Sequence, residues 1–133
     1  MLERVLIVVV AALVVGLALL VVRSRVAGRT RARLGRPLPE ALRLERPGLP
    51  TVLYFYGAAC AACAQQRRAL TSLPTERLNV VALDAAHQTE LAEWAGVLTV
   101  PSTAIIDPQR RLRAVNHGFR PADELSRQLA AVA

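Results

Sequence analysis

Cys60 and Cys63 are the only cysteines in this chain of 133 residues, and two alanines separate them. Thr51-Val52-Leu53-Tyr54-Phe55-Tyr56, just before them, is β-branched and aromatic and reads as a buried strand. The residues that follow, Ala64 to Leu73, are mostly Ala, Gln, Arg and Leu, which form helices readily. The pair therefore sits where a strand gives way to a helix. There one thiol stands at the helix N-terminus, where backbone N–H groups and the macrodipole favour a thiolate. The second stands one turn further in, close enough for a disulfide to form without moving the backbone.

This is the layout of a dithiol/disulfide redox device. Cys60, nearest the helix start, is the expected attacking thiolate, and Cys63 is the expected resolving thiol that breaks the mixed disulfide. A free thiol with a pKa of about 8.5 is only a few per cent ionised at neutral pH, and lowering it to about 7 raises that to half. A structural disulfide is one competing reading. Half a zinc site is another, but zinc usually takes four ligands, and only His87 and His117, both distant in sequence, remain to add. No metal and no cofactor is called for beyond the two sulfurs.

The elements around the pair bound the rest. Val5 to Val22 is an uncharged run of Val, Leu, Ile, Ala and one Gly. As a helix it spans about 27 Å, close to the bilayer hydrocarbon thickness. A cleavable signal would have a shorter apolar core, a basic start and a small-residue cleavage site. Here only Arg4, beside Glu3, precedes the run, and arginines stand where the cleavage site should be. We therefore read residues 1–22 as a single-pass anchor, 23–50 as an Arg/Pro-rich juxtamembrane tether with a short edge strand around Ala41–Leu44, and 51–133 as the folded domain.

The net charge of +7 is concentrated at one end. Residues 1–36 hold seven arginines and one acid, whereas residues 37–133 hold ten arginines and nine acids. So the folded part is nearly neutral, which argues against a nucleic-acid partner. A basic cluster beside an anchor binds lipid head groups, so residues 5–22 and the arginines after them are the expected membrane contact. One arginine precedes the apolar run and six follow it, which puts the domain in the cytoplasm by the positive-inside rule. An extracytoplasmic domain is the alternative. The chain has no lysine, which excludes lysine-based chemistry.

From Thr51 the pattern alternates. A strand over 51–57 leads to a helix from Cys60 to about Leu73, stopped by Pro74. A second strand covers 78–84, and a short helix from Gln88 to Trp94 ends at Gly96. Strands over 102–107 and 112–117 flank a turn at Pro108-Gln109-Arg110. A closing helix with Pro121 at its start runs to about Val132. The order β-α-β-α-β-β-α predicts an α/β fold, with a parallel pair joined by a crossover and a late hairpin in one mixed sheet flanked by helices. Trp94 reads as a core anchor, Asp84 as a turn or helix cap, and His87 and His117 as surface or strand-end residues. Tyr54 and Tyr56 alternate with Phe55, so one face must pack, and Tyr56 is placed to line the site.

Over residues 51–132 this constellation resembles the thioredoxin family. Besides Cys60-Ala61-Ala62-Cys63, the segment Gly96-Val97-Leu98-Thr99-Val100-Pro101-Ser102-Thr103 is similar to the family's loop ending in a cis-proline before a strand. Gly118 resembles the glycine before the last helix, and Asp107-Pro108-Gln109-Arg110 the hairpin turn. The resemblance implies a thioredoxin-like fold and thiol–disulfide exchange with a protein substrate. It also implies that Pro101 packs opposite the disulfide, while Val100 offers backbone groups to that substrate. An anchor followed by a short domain is similar to membrane-tethered thioredoxin-like proteins, including those serving cytochrome c maturation.

Departures qualify the resemblance. The family's Trp before the first cysteine is Ala59 here, its Gly-Pro is Ala61-Ala62, its buried acid aligns with Tyr54, and the lysine beside that acid aligns near Val80. These imply a slower or partner-specific exchange protein and leave the direction of the reaction open. A redox-sensing or docking module without turnover, and a metal-binding dithiol domain, are the alternatives.

Overall fold

The computed structural model describes residues 1–133. Helix α1 runs from Leu2 to Arg33 with no buried residue, and by length and composition it can cross a membrane. It continues eleven residues past Val22, because Arg, Ala, Val and Ser all tolerate helix and no proline intervenes. It stops just before Gly35, whose φ of +84° is left-handed.

From Arg33 onward the chain forms a separate compact unit. Its elements are β1 (Thr51–Tyr56), α2 (Ala61–Thr71), a 3₁₀ turn (Thr75–Arg77), β2 (Asn79–Asp84), α3 (Thr89–Ala95), β3 (Ser102–Ile106), β4 (Leu112–His117) and α4 (Ala122–Val132). The four strands lie in the order β2-β1-β3-β4. β1 pairs parallel with β2, and β3 is antiparallel to both β1 and β4. The expected order, parallel crossover and late hairpin are all present. Gly96 ends α3 at φ +77°, a conformation that glycine adopts without a Cβ penalty.

β1 is central, which is why it reads as an unbroken apolar run. Leu53 and Phe55 point to one face and pack with Leu83, Ala104, Ile106 and Leu112 under α3. Val52 and Tyr54 point to the other and pack with Cys63, Leu70, Ile105, Leu125 and Leu129 of α2, β3 and α4. Trp94 is half-buried against the first of these clusters.

The segment read as a tether is built differently from that expectation. Residues 23–33 belong to α1, and residues after Leu34 pack onto the domain. Leu38 and Leu44 are buried in the same cluster as Phe55, with Leu42 against them. The seven-residue α3 is too short to cover a whole sheet face, and these leucines fill the remainder. Strand-like pairing falls at Pro37, which bridges Arg111, and not at Ala41–Leu44. Arg110 donates to the Pro39 and Leu42 carbonyls, both at 3.1 Å. Arg46 donates to the carbonyls of Thr75, Glu76 and Leu78. In this way the arginines satisfy backbone oxygens that an irregular segment would otherwise leave unpaired.

Asp107 organises the hairpin turn. Its carboxylate accepts from Arg111 N–H at 2.8 Å and Arg113 Nε at 2.6 Å. Burial pushes this carboxyl up, but those bonds and the Arg113 charge outweigh it and hold Asp107 below the usual range.

Candidate active site

Cys60 is the N-cap of α2 and Cys63 lies in its first turn. The two sulfurs are bonded, with the Cα atoms 5.3 Å apart. Cys63 is buried at 4% exposure, while Cys60 is half-buried and flanked by the exposed Ala59, Ala61 and Ala62. Cys60 makes no side-chain capping hydrogen bond, and its place at the helix N-terminus favours negative charge there. One sulfur is thus reachable and the other sheltered.

The second wall of the site is the loop before β3. The Val100–Pro101 peptide is cis, as the resemblance implies, and Pro101 is buried. Tyr56, Cys60 and Val100 all pack against the cluster that contains Cys63. Gly118 N–H donates to the Pro101 carbonyl at 2.8 Å, fixing the loop before α4 to the proline. The five expected site residues, Cys60, Cys63, Val100, Pro101 and Tyr56, therefore gather at one end of the sheet, where β1 and β4 end and β3 begins.

Tyr54 lies behind the pair. Its phenol donates to the Cys63 carbonyl at 2.9 Å. Burial raises its pKa, against the opposing charge of Arg67, so it stays protonated at neutral pH. It fixes the helix by a hydrogen bond and does not accept the Cys63 proton.

Two positions that serve the site were not singled out from the sequence. A Cβ on Gly57 would lie 3.0 Å from Val100 Cγ2, so the absence of a side chain lets the loop approach the end of β1. Gln66 is fully buried and grips one residue with both ends of its amide. Its Nε2 donates to Arg120 O at 3.0 Å, and Arg120 N–H donates to Oε1 at 2.8 Å. That clamp ties the cysteine helix to the loop before α4. Its signal was a polar residue at the inner-face spacing of Cys63, Gln66 and Leu70. Replacing Gln66 with Leu should leave both Arg120 backbone groups unpaired and lower stability by about 1–3 kcal/mol, measured by thermal unfolding.

The histidines divide. His87 is exposed and sits 3.0 Å from Asp84, whose carboxylate also accepts from Ala86 N–H at 2.9 Å. Asp84 is thus the turn cap expected of it, and that N–H bond, with His87, holds its carboxyl below the usual range. His117 ends β4, and neither ring nitrogen hydrogen-bonds another protein group. Burial lowers its pKa and the nearby Arg120 charge pushes the same way. Arg120 Nε itself lies 3.2 Å from Glu124 Oε1, an ion pair and not an aligned hydrogen bond. The unfolded chain binds a proton at His117 more readily than the folded one, so stability should fall as pH drops below about 6.5. His117→Gln should flatten that part of the profile, read from thermal midpoints at about pH 7.5 and about pH 5. Asp107 contributes in the same direction only at lower pH, below the ordinary carboxyl range.

No family model matches the sequence, and no curated protein matches it. Solved structures do match the fold, and the class they define is thioredoxin-like. A thioredoxin-like protein from Clostridium perfringens superposes with a TM-score of 0.59 at 21% identity, over 67% of this chain and 75% of that one. Thioredoxin-2, a component of the malaria parasite protein secretion machinery, gives 0.57 at 20% identity, over 67% and 99%. MTB dsbF, solved in mixed oxidized and reduced forms, gives 0.52 at 21% identity, over 65% and 83%. This chain has a thioredoxin-like fold carrying a Cys60–Cys63 disulfide.

Proposed function

We propose that the chain is a membrane-anchored thiol–disulfide exchange protein acting on protein substrates. The observation that carries this is the unequal exposure of two bonded sulfurs at a helix N-terminus, in a fold of thioredoxin type. In the reducing direction the Cys60 thiolate attacks one sulfur of a substrate disulfide. The other substrate sulfur leaves as a thiolate and takes a proton from solvent. Cys63, as its thiolate, then attacks Cys60 Sγ and displaces the second substrate thiol. Two electrons pass to the substrate, and the Cys60–Cys63 bond is left behind. The same steps in reverse oxidise a substrate dithiol. Val100 and Pro101 would border the bound segment, with Tyr56 beside them.

Several features support the membrane setting. The apolar run is uncharged and unburied, and the arginines beginning at Arg23 follow it directly. Arginines stand where the cleavage site of a signal would lie, so we favour an anchor, with the domain on the cytoplasmic side by arginine count. An exported domain is the competing arrangement.

The test is turnover of insulin disulfides by the full chain in detergent micelles with a dithiol reductant. Reduction well above that of the reductant alone is expected. A Cys60–Cys63 bond that opens and closes without turnover would instead identify a sensing or docking module.

A further inference from the structure

Two ends of the sheet are distinguishable by register. At one end Phe55, Ser102 and His117 are neighbours, and Cys60 follows four residues after Tyr56, the last residue of β1. At the other end lie Thr51, Ile106 and Leu112. The N-terminal segment joins the domain at this second end. Gly35 N–H donates to Leu112 O at 2.7 Å, Leu112 N–H to Arg36 O at 2.9 Å, and Leu38 N–H to Arg110 O at 2.7 Å. The join comes two residues after α1 ends. Only Leu34 separates Arg33, the last residue of α1, from Gly35.

These lengths limit how far Cys60 can travel from a membrane. From Val22 to Arg33 the chain is helical, rising about 16 Å, and Gly35 is at most about 7 Å further on. Along β4, across two strand spacings and over the four residues from Tyr56 to Cys60, the site is at most roughly 35 Å from the join. The sulfur of Cys60 therefore stays within about 60 Å of the bilayer, whatever angle the domain takes. Arg23, Arg25, Arg29 and Arg31 occupy the intervening helix, and attraction to anionic head groups pulls that stretch down, not up.

We infer that the substrates this protein is built for are cysteine pairs carried by other membrane proteins on the same face, within about 60 Å of the bilayer. This rests on the anchored exchange reading. Confinement of both partners to one thin layer raises their effective concentration, whereas a freely soluble substrate gains nothing from the anchor.

The test uses the reduced full chain in vesicles of phosphatidylcholine and phosphatidylglycerol. Single-span helical peptides serve as probes, each carrying a cysteine capped through a disulfide by a thiol dye, about 20 Å or about 90 Å above the surface. The same stem without its span is the soluble probe. Dye release from the near probe should be at least about tenfold faster than from the far or soluble probe. Inserting a Gly/Ser segment of about 60 residues between Arg33 and Leu34 should raise the far-probe rate. Equal rates from near and far probes, or a soluble probe as fast as the near one, would overturn the inference while leaving exchange intact. A chain that fails to float with the vesicles would overturn the anchored reading, and release from no probe would overturn the exchange reading; the inference falls with either.

Discussion

Cys60→Ser should reduce disulfide exchange to the uncatalysed background, while Cys63→Ser should still perform the first half-reaction and stall there. The asymmetry follows from exposure. Cys60 is the reachable sulfur at the N-cap, and Cys63 is 4% exposed beneath it. With Cys60 gone, no accessible nucleophile remains, because the only other cysteine is the buried Cys63. With Cys63 gone, Cys60 attacks as before, but nothing displaces the substrate, so a mixed disulfide accumulates. Non-reducing gels and intact-mass measurement on the two variants separate these outcomes. Mixed disulfides on Cys63 in the Cys60→Ser chain would reverse the assignment.

The second large effect is on stability. Phe55 is fully buried in the central strand, among Leu38, Leu83, Ala104 and Ile106. Phe55→Ala should cost about 3–5 kcal/mol, the range for an aromatic side chain deleted from a closed core. In a domain of this size that lowers the thermal midpoint by well over about 10 °C. Leu44→Ala should also destabilise, because Leu44 packs in the same cluster. If 23–50 were a free tether, that change would be silent. Thermal unfolding of the two variants beside the unaltered chain therefore measures both the core and the place of the N-terminal segment in it.

Much of this architecture was legible because its signals are local. The run Thr51–Tyr56 announced a strand buried on both faces, and Pro74, Gly96 and Pro121 marked helix limits within a residue or two of where they fall. The Cys60–Cys63 spacing and the Val100–Pro101 loop pointed to one site, and the fold brings them to one end of one sheet. Residues 34–50 were harder. Leu38, Leu42 and Leu44 are separated by Pro and Arg and follow neither a helical nor a strand period, so their burial depends on a gap beside α3 that only the assembled sheet creates. Gln66 was hidden for the opposite reason. Its partner is backbone fifty-four residues away, and a lone polar side chain on a helix reads as solvent-facing until that partner is placed. His117 is the strand-end residue expected of it, but its partial burial belongs to the folded chain and has no local signal in the sequence.

In the proposed exchange Cys60 acts as the nucleophile of a reversible pair, and the alkylation rate of each cysteine in the reduced full chain tests this directly. At neutral pH, Cys60 should react with iodoacetamide on the order of tenfold faster than Cys63, and modified Cys60 should no longer form the disulfide. Equal rates, or faster reaction at Cys63, would contradict the assignment.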